Sequence, residues 1–181
     1  AELYNILAAR SLGERDLQRK SIYLLERAQE GKSWQAELLR ARATFLIYSE
    51  HPEEVELVAR EAIALNPRDA QLHFLLGLAS KDAQGRLTEK ALGHFDDTLE
   101  LDPGFHGVFY ELGRSEELVG RLWKANEHYE KKIELSPGSP ASLTRLGGVY
   151  EALGKPEVAA AFYDRAIGFD PDEKAAVLRR A

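Results

Sequence analysis

The side chains able to do chemistry are few in kind. The chain carries five histidines, His51, His73, His94, His106 and His128, and no cysteine. A thiolate nucleophile, a disulfide and a cysteine-based metal site are therefore excluded. Two ligands on one helix face stand at i, i+4, yet no two histidines have that spacing and no HExxH occurs. The carboxylate pairs Glu53-Glu54, Asp96-Asp97 and Glu116-Glu117 would work as acid and base only in two environments that separate their pKa values. On open helical surfaces they read as solvated faces. Leu146-Gly147-Gly148 and Leu153-Gly154-Lys155-Pro156 are rich in glycine, but no strand precedes them and no GxxxxGK[ST] spacing occurs, so they read as turn and packing glycines. We expect no catalytic residue, no metal site and no cofactor.

Bulk properties narrow the classes further. With 181 residues, 44% hydrophobic and 30% charged, the chain has the composition of a folded domain or a short repeat array. Charges interrupt every apolar stretch before the roughly 20 residues a membrane span needs, so no membrane insertion is expected. A net charge of −6 and a pI near 5.5 oppose general attraction to nucleic acid or anionic lipid. The opening Ala-Glu-Leu-Tyr-Asn lacks the basic and apolar regions of a secretory signal. That leans towards the cytoplasm, although a signal already removed would leave no trace. The chain has no methionine and starts at Ala1, which reads as a segment of a longer or processed protein.

The elements that position these side chains follow a fixed period. Leu65-Asn66-Pro67, Leu101-Asp102-Pro103, Leu135-Ser136-Pro137 and Phe169-Asp170-Pro171 recur with spacings of 36, 34 and 34 residues. Asn, Asp or Ser accepts hydrogen bonds at a helix start and proline suits a first turn, so each tripeptide is expected to open a helix. Between them Leu143, Leu146, Gly147 and Tyr150 precede Ala159, Tyr163, Ala166 and Pro171, and two earlier units repeat the order through Leu112, Gly113, Ala125, Tyr129 and through Leu76, Gly77, Ala91, Phe95. Departures include His73, Ser80 and Glu116. An earlier unit carries Leu39, Ala43, Leu46, Ala62 and Pro67. One small residue per unit at one phase (Ala43, Gly77, Gly113, Gly147) marks a place where two helices approach closely.

This pattern resembles the tetratricopeptide repeat. The resemblance implies an all-α fold, a right-handed superhelical α-solenoid of stacked antiparallel hairpins. The units expected are a divergent hairpin or cap over 1–35, repeats over 36–69, 70–105, 106–139 and 140–171, and a terminal helix over 172–181. The repeat at 70–105 holds two extra residues, placed between its helices at 81–86. In proteins of this kind the outward stripe of each first helix lines a concave groove. By phase that stripe offers Arg40, Thr44, Phe74, Leu78, Tyr110 and Arg114, with Arg145 adjacent, and aromatic and Arg side chains usually carry interface energy. Phase alone leaves a second reading open, in which Phe74 and Leu78 pack between neighbouring first helices. Lys and Asn are missing from the groove positions with which a subset of the family captures acidic chaperone tails. The function expected is a non-enzymatic scaffold for a mixed apolar and acidic peptide of a partner protein. The alternatives are a self-assembling homo-oligomer and a non-catalytic segment of a larger enzyme; Trp34 and Trp123, outside the repeat pattern, could serve partner binding or self-assembly alike.

Overall fold

The computed structural model describes residues 32–48 and 51–171. Among them are eight helices and no strand: α1 Lys32–Tyr48, α2 Pro52–Leu65, α3 Ala70–Ala79, α4 Glu89–Leu101, α5 His106–Leu118, α6 Leu122–Leu135, α7 Pro140–Ala152 and α8 Pro156–Phe169. The hairpin expected before residue 32 and the helix expected over 172–181 lie outside the described residues.

The recurring tripeptides close helices instead of opening them. Asn66, Asp102, Ser136 and Asp170 are the C-caps of α2, α4, α6 and α8, with φ between −139° and −146° and ψ between 80° and 101°. The following proline causes this. Its ring disfavours the helical region for the residue before it, and it brings no N–H to continue the ladder. Each cap N–H still donates to the carbonyl four residues back, as Asn66 does to Ala62 at 2.9 Å. The next helix starts three residues beyond the proline, at Ala70, His106 or Pro140. Asp69 caps α3 by accepting from the Gln71 N–H at 3.1 Å. The prolines that do occupy a first turn are Pro52, Pro140 and Pro156.

Two compact units arise. The first contains α1 to α4 and the second α5 to α8, with the connecting residues 83–87 joining the second. In the first unit α1 pairs with α2 and α3 with α4, while α3 packs on both helices of the hairpin before it. Its core is built from Leu39, Leu46, Val55, Val58, Leu72 and Leu75. In the second unit α5 pairs with α6 and α7 with α8, and α6 packs on α7 around Tyr129, Leu146 and Val149. Neither hairpin of a unit could cover its apolar face alone, which is why the hairpins stack.

The turns inside the hairpins of the second unit are tight. Gly120 and Gly154 take φ of 74° and 72°, a left-handed conformation that costs other residues more. This reversal lets the Arg121 N–H reach the Glu116 carbonyl and the Lys155 N–H reach the Tyr150 carbonyl, both at 2.9 Å. Residues 80–88 make a longer link between α3 and α4. Thr88 ends it, its hydroxyl accepting from the Ala91 N–H at 3.1 Å and donating to the Ser80 carbonyl at 2.7 Å.

Candidate functional site

Each hairpin closes on a small residue of its first helix. A Cβ built on Gly113 would lie 2.7 Å from Cε1 of Tyr129, and Cβ atoms on Gly77 and Gly147 would overlap the rings of Phe95 and Tyr163. At the same register the first hairpin has alanine on both sides, and Ala43 and Ala59 are both fully buried. In three hairpins a ring thus occupies the space left by a glycine, whereas in the first, two alanines of one core cluster take the corresponding positions.

The rings bring polar atoms with them in the second unit. Four residues after its glycine, each first helix carries a glutamate, and the tyrosine opposite donates its hydroxyl to it: Tyr129 to Glu117 at 2.8 Å and Tyr163 to Glu151 at 2.9 Å. Glu117 also accepts from Arg145 of α7 at 3.4 Å. Burial and the Glu117 carboxylate hold the Tyr129 hydroxyl far above the ordinary phenol range. Burial opposes the charge on Arg145, and the Glu117 carboxylate with the Tyr110 and Tyr129 hydroxyls more than offsets it, so its pKa is raised. Tyr110 packs on the α6–α7 core with its ring centroid 6.0 Å from that of Tyr129. Arg114, one turn further along α5, pairs with Glu111 at 3.5 Å. Tyr110, Arg114 and Arg145 thus share the first-helix side of this unit, and the two guanidinium groups remain partly exposed.

The four residues named for the first unit are placed differently. Arg40 is half-buried and donates to Asp69, the α3 cap, at 3.1 Å, which ties α1 to the start of α3. Thr44 is buried, and its hydroxyl donates to the Arg40 carbonyl at 2.8 Å. Phe74 is only 8% exposed and stacks on Phe95 of the partner helix at 5.6 Å between centroids. Leu78 packs against the core. Within this unit Arg40 is therefore the residue of the four whose polar end reaches solvent to an appreciable degree.

A further cluster carries no i, i+4 signature, because its members come from two helices. His73 of α3 and His94 of α4 both turn Nδ1 towards Oδ2 of Asp97, at 3.3 Å and 3.9 Å. The first approach lacks the alignment of a hydrogen bond, and Nδ1 of His73 is buried without one, as is Nε2 of His94. Burial lowers the His94 pKa, against the pull of Asp97. The available signal was the histidine at position 73, where the repeat pattern takes a large apolar residue.

Comparison with known proteins places these features in a family context. The tetratricopeptide-repeat family model matches residues 40–104 and 110–174. No curated protein matches the chain. Among solved structures the chain is similar to that described as "Crystal structure of MamA", with a TM-score of 0.60 and 19% identity over 86% of this chain and 88% of that one. At that identity the likeness speaks for the fold, an all-α array of helical hairpins of the α-solenoid class.

Proposed function

The chain belongs to the tetratricopeptide-repeat family, and we propose that it is a non-enzymatic binding module that holds a peptide segment of a partner protein. Tetratricopeptide repeats generally mediate protein–protein interaction, which is the premise. The observation that carries the finer reading is the group Tyr110, Arg114 and Arg145 on the first helices of the second unit. It joins an aromatic face to two partly exposed guanidinium groups. Arg can grip a carboxylate in two places, and aromatic rings supply contact area at low entropic cost. The ligand that suits this group is a segment with an acidic side chain or terminus next to apolar side chains.

The test is selection of peptides from a displayed random library on the intact chain. Peptides enriched in Asp or Glu beside apolar residues, binding Tyr110→Ala and Arg114→Ala chains about tenfold more weakly or worse, are expected if these side chains are hot spots. Enriched peptides that bind both variants like the parent, and bind a Glu130→Ala chain more weakly, would move the functional surface to the second helices.

A second reading, assembly of copies of this chain, draws on the exposed Leu118, Val119 and Trp123 around the turn between α5 and α6. Light scattering after gel filtration separates the two. A mass that stays at one chain across a wide concentration range removes the assembly reading.

A further inference from the structure

We propose that His73, His94 and Asp97 form a binding site for one divalent transition-metal ion of the zinc type, linking α3 to α4. All three offer ligand atoms that lie within 4.8 Å of one another. Two ligands at about 2.0–2.2 Å from a tetrahedral ion stand roughly 3.3–3.6 Å apart. The separations of 3.3 Å and 3.9 Å between the imidazole nitrogens and Asp97 Oδ2 need only small side-chain adjustments to meet that spacing. The 3.3 Å approach is not a hydrogen bond and leaves Nδ1 of His73 buried without a hydrogen-bond partner. A buried imidazole nitrogen in that state carries a desolvation cost that an ion in the gap would offset.

The other hairpins show that the repeat itself does not require this trio. Counting from the small residue and from the ring opposite it, the positions of His73, His94 and Asp97 are filled by Phe109, His128 and Lys131 in the third described hairpin, and by Leu143, Phe162 and Arg165 in the fourth. The first described hairpin has Leu39, Val58 and Glu61. Position 73 is thus the one of the four with a nitrogen in place of hydrocarbon. Position 97 carries a carboxylate where the second unit carries cations.

Two imidazoles and one carboxylate suit zinc and its neighbours in the transition series, whereas calcium and magnesium prefer oxygen ligands alone. Asp97 is half exposed while the histidines are mostly covered, so the ion would enter past Asp97 and keep a solvent molecule in its fourth position. Lys90, whose charge acts on His94, is held by Glu56 of α2 at 2.7 Å. A second group, His51, Glu53 and Glu54, has ligand atoms equally close, but all three are exposed on the surface, and it serves as the control.

The experiment is calorimetric titration of the chelator-stripped chain with zinc chloride, with a parallel cobalt titration followed by visible absorption. One zinc per chain and a cobalt spectrum of low-coordinate type are expected, together with a higher melting temperature in zinc. His73→Leu imports the residue found at this register in two other hairpins, so its fold should survive, and its zinc affinity should fall by about a hundredfold or more. Asp97→Asn should weaken binding by about tenfold or more, and His51→Ala should bind like the parent. The proposal is overturned if the parent takes up no zinc, if His73→Leu and Asp97→Asn bind it like the parent, or if His51→Ala is the variant that loses it.

Discussion

The ring of Tyr129 fills the space that a side chain on Gly113 would need: a Cβ built there would stand 2.7 Å from Cε1 and 2.8 Å from Cδ1. Both residues are buried, so neither can yield into solvent. Gly113→Ala should therefore destabilise the chain by about 1–2 kcal/mol, because overpacking of about 1–3 kcal/mol exceeds the gain of up to about 1 kcal/mol from helix propensity. Gly93→Ala is the control. It lies exposed in α4 with nothing near its Cβ, and should stabilise by about 0.5–1 kcal/mol. Chemical denaturation measures both. Equal effects of the two changes would show that the contact at Gly113 is not tight.

The same ring carries the hydroxyl that Glu117 accepts. Tyr129→Phe removes the donor and leaves a half-buried carboxylate to which Arg145 still donates. A loss of about 1–3 kcal/mol is expected, as for other hydrogen bonds to charged groups. Tyr163→Phe should cost less, because Glu151 is exposed and water can take the place of the hydroxyl. A denaturation midpoint unmoved in both variants would mean that water replaces these bonds without cost.

Acid should weaken the second unit through His128. Burial lowers its pKa in the folded chain, and Lys124 acts in the same direction against Glu116 and Glu127. The unfolded chain then binds the proton more readily, so the contribution of neutral His128 is present above about pH 6.5 and is lost as pH falls through the lower, folded value. Melting curves between neutral pH and pH 5 should show this decline. It should shrink in His128→Phe, which imports the residue type that Phe162 supplies one repeat later. An identical pH profile in the variant would assign the decline to other groups.

Phe74 and Arg114 should separate stability from binding. Truncating the buried Phe74 leaves a cavity beside Phe95 and should cost about 3–5 kcal/mol of stability. Arg114→Ala removes a partly exposed side chain paired at 3.5 Å with the mostly covered Glu111, so stability should fall by about 1–2 kcal/mol, less than for Phe74, while partner affinity falls. Thermal melts next to affinities for a selected peptide decide this. A large stability loss for Arg114→Ala would make it a structural residue.

The helical repeat was legible in the linear order of residues because its signals are local. A proline stops the helix before it, and a recurring small residue marks a close approach wherever the hairpin lies. The proline motifs end helices, although their cap-forming residues suggest helix starts. The restriction on the residue before proline, also a local rule, would have assigned Asn66, Asp102, Ser136 and Asp170 to helix ends. The match of glycine with a ring in the later hairpins was half visible, since each partner could be read but not the contact between them.

What only the tertiary structure decided was which side chains meet across helices. Phase gives the face of a helix but not its rotation against the next one, and a small rotation separates a groove residue from a buried one. Thr44 and Phe74 fell on the covered side, whereas Arg114 and Arg145 kept partly exposed charges beside carboxylates of their own unit. His73, His94 and Asp97 met for the same reason. Two of them are an ordinary i, i+3 pair on α4, and the third arrives from α3 only once the hairpin has closed on Gly77 and Phe95, a contact between residues too far apart in the chain for any spacing rule to register.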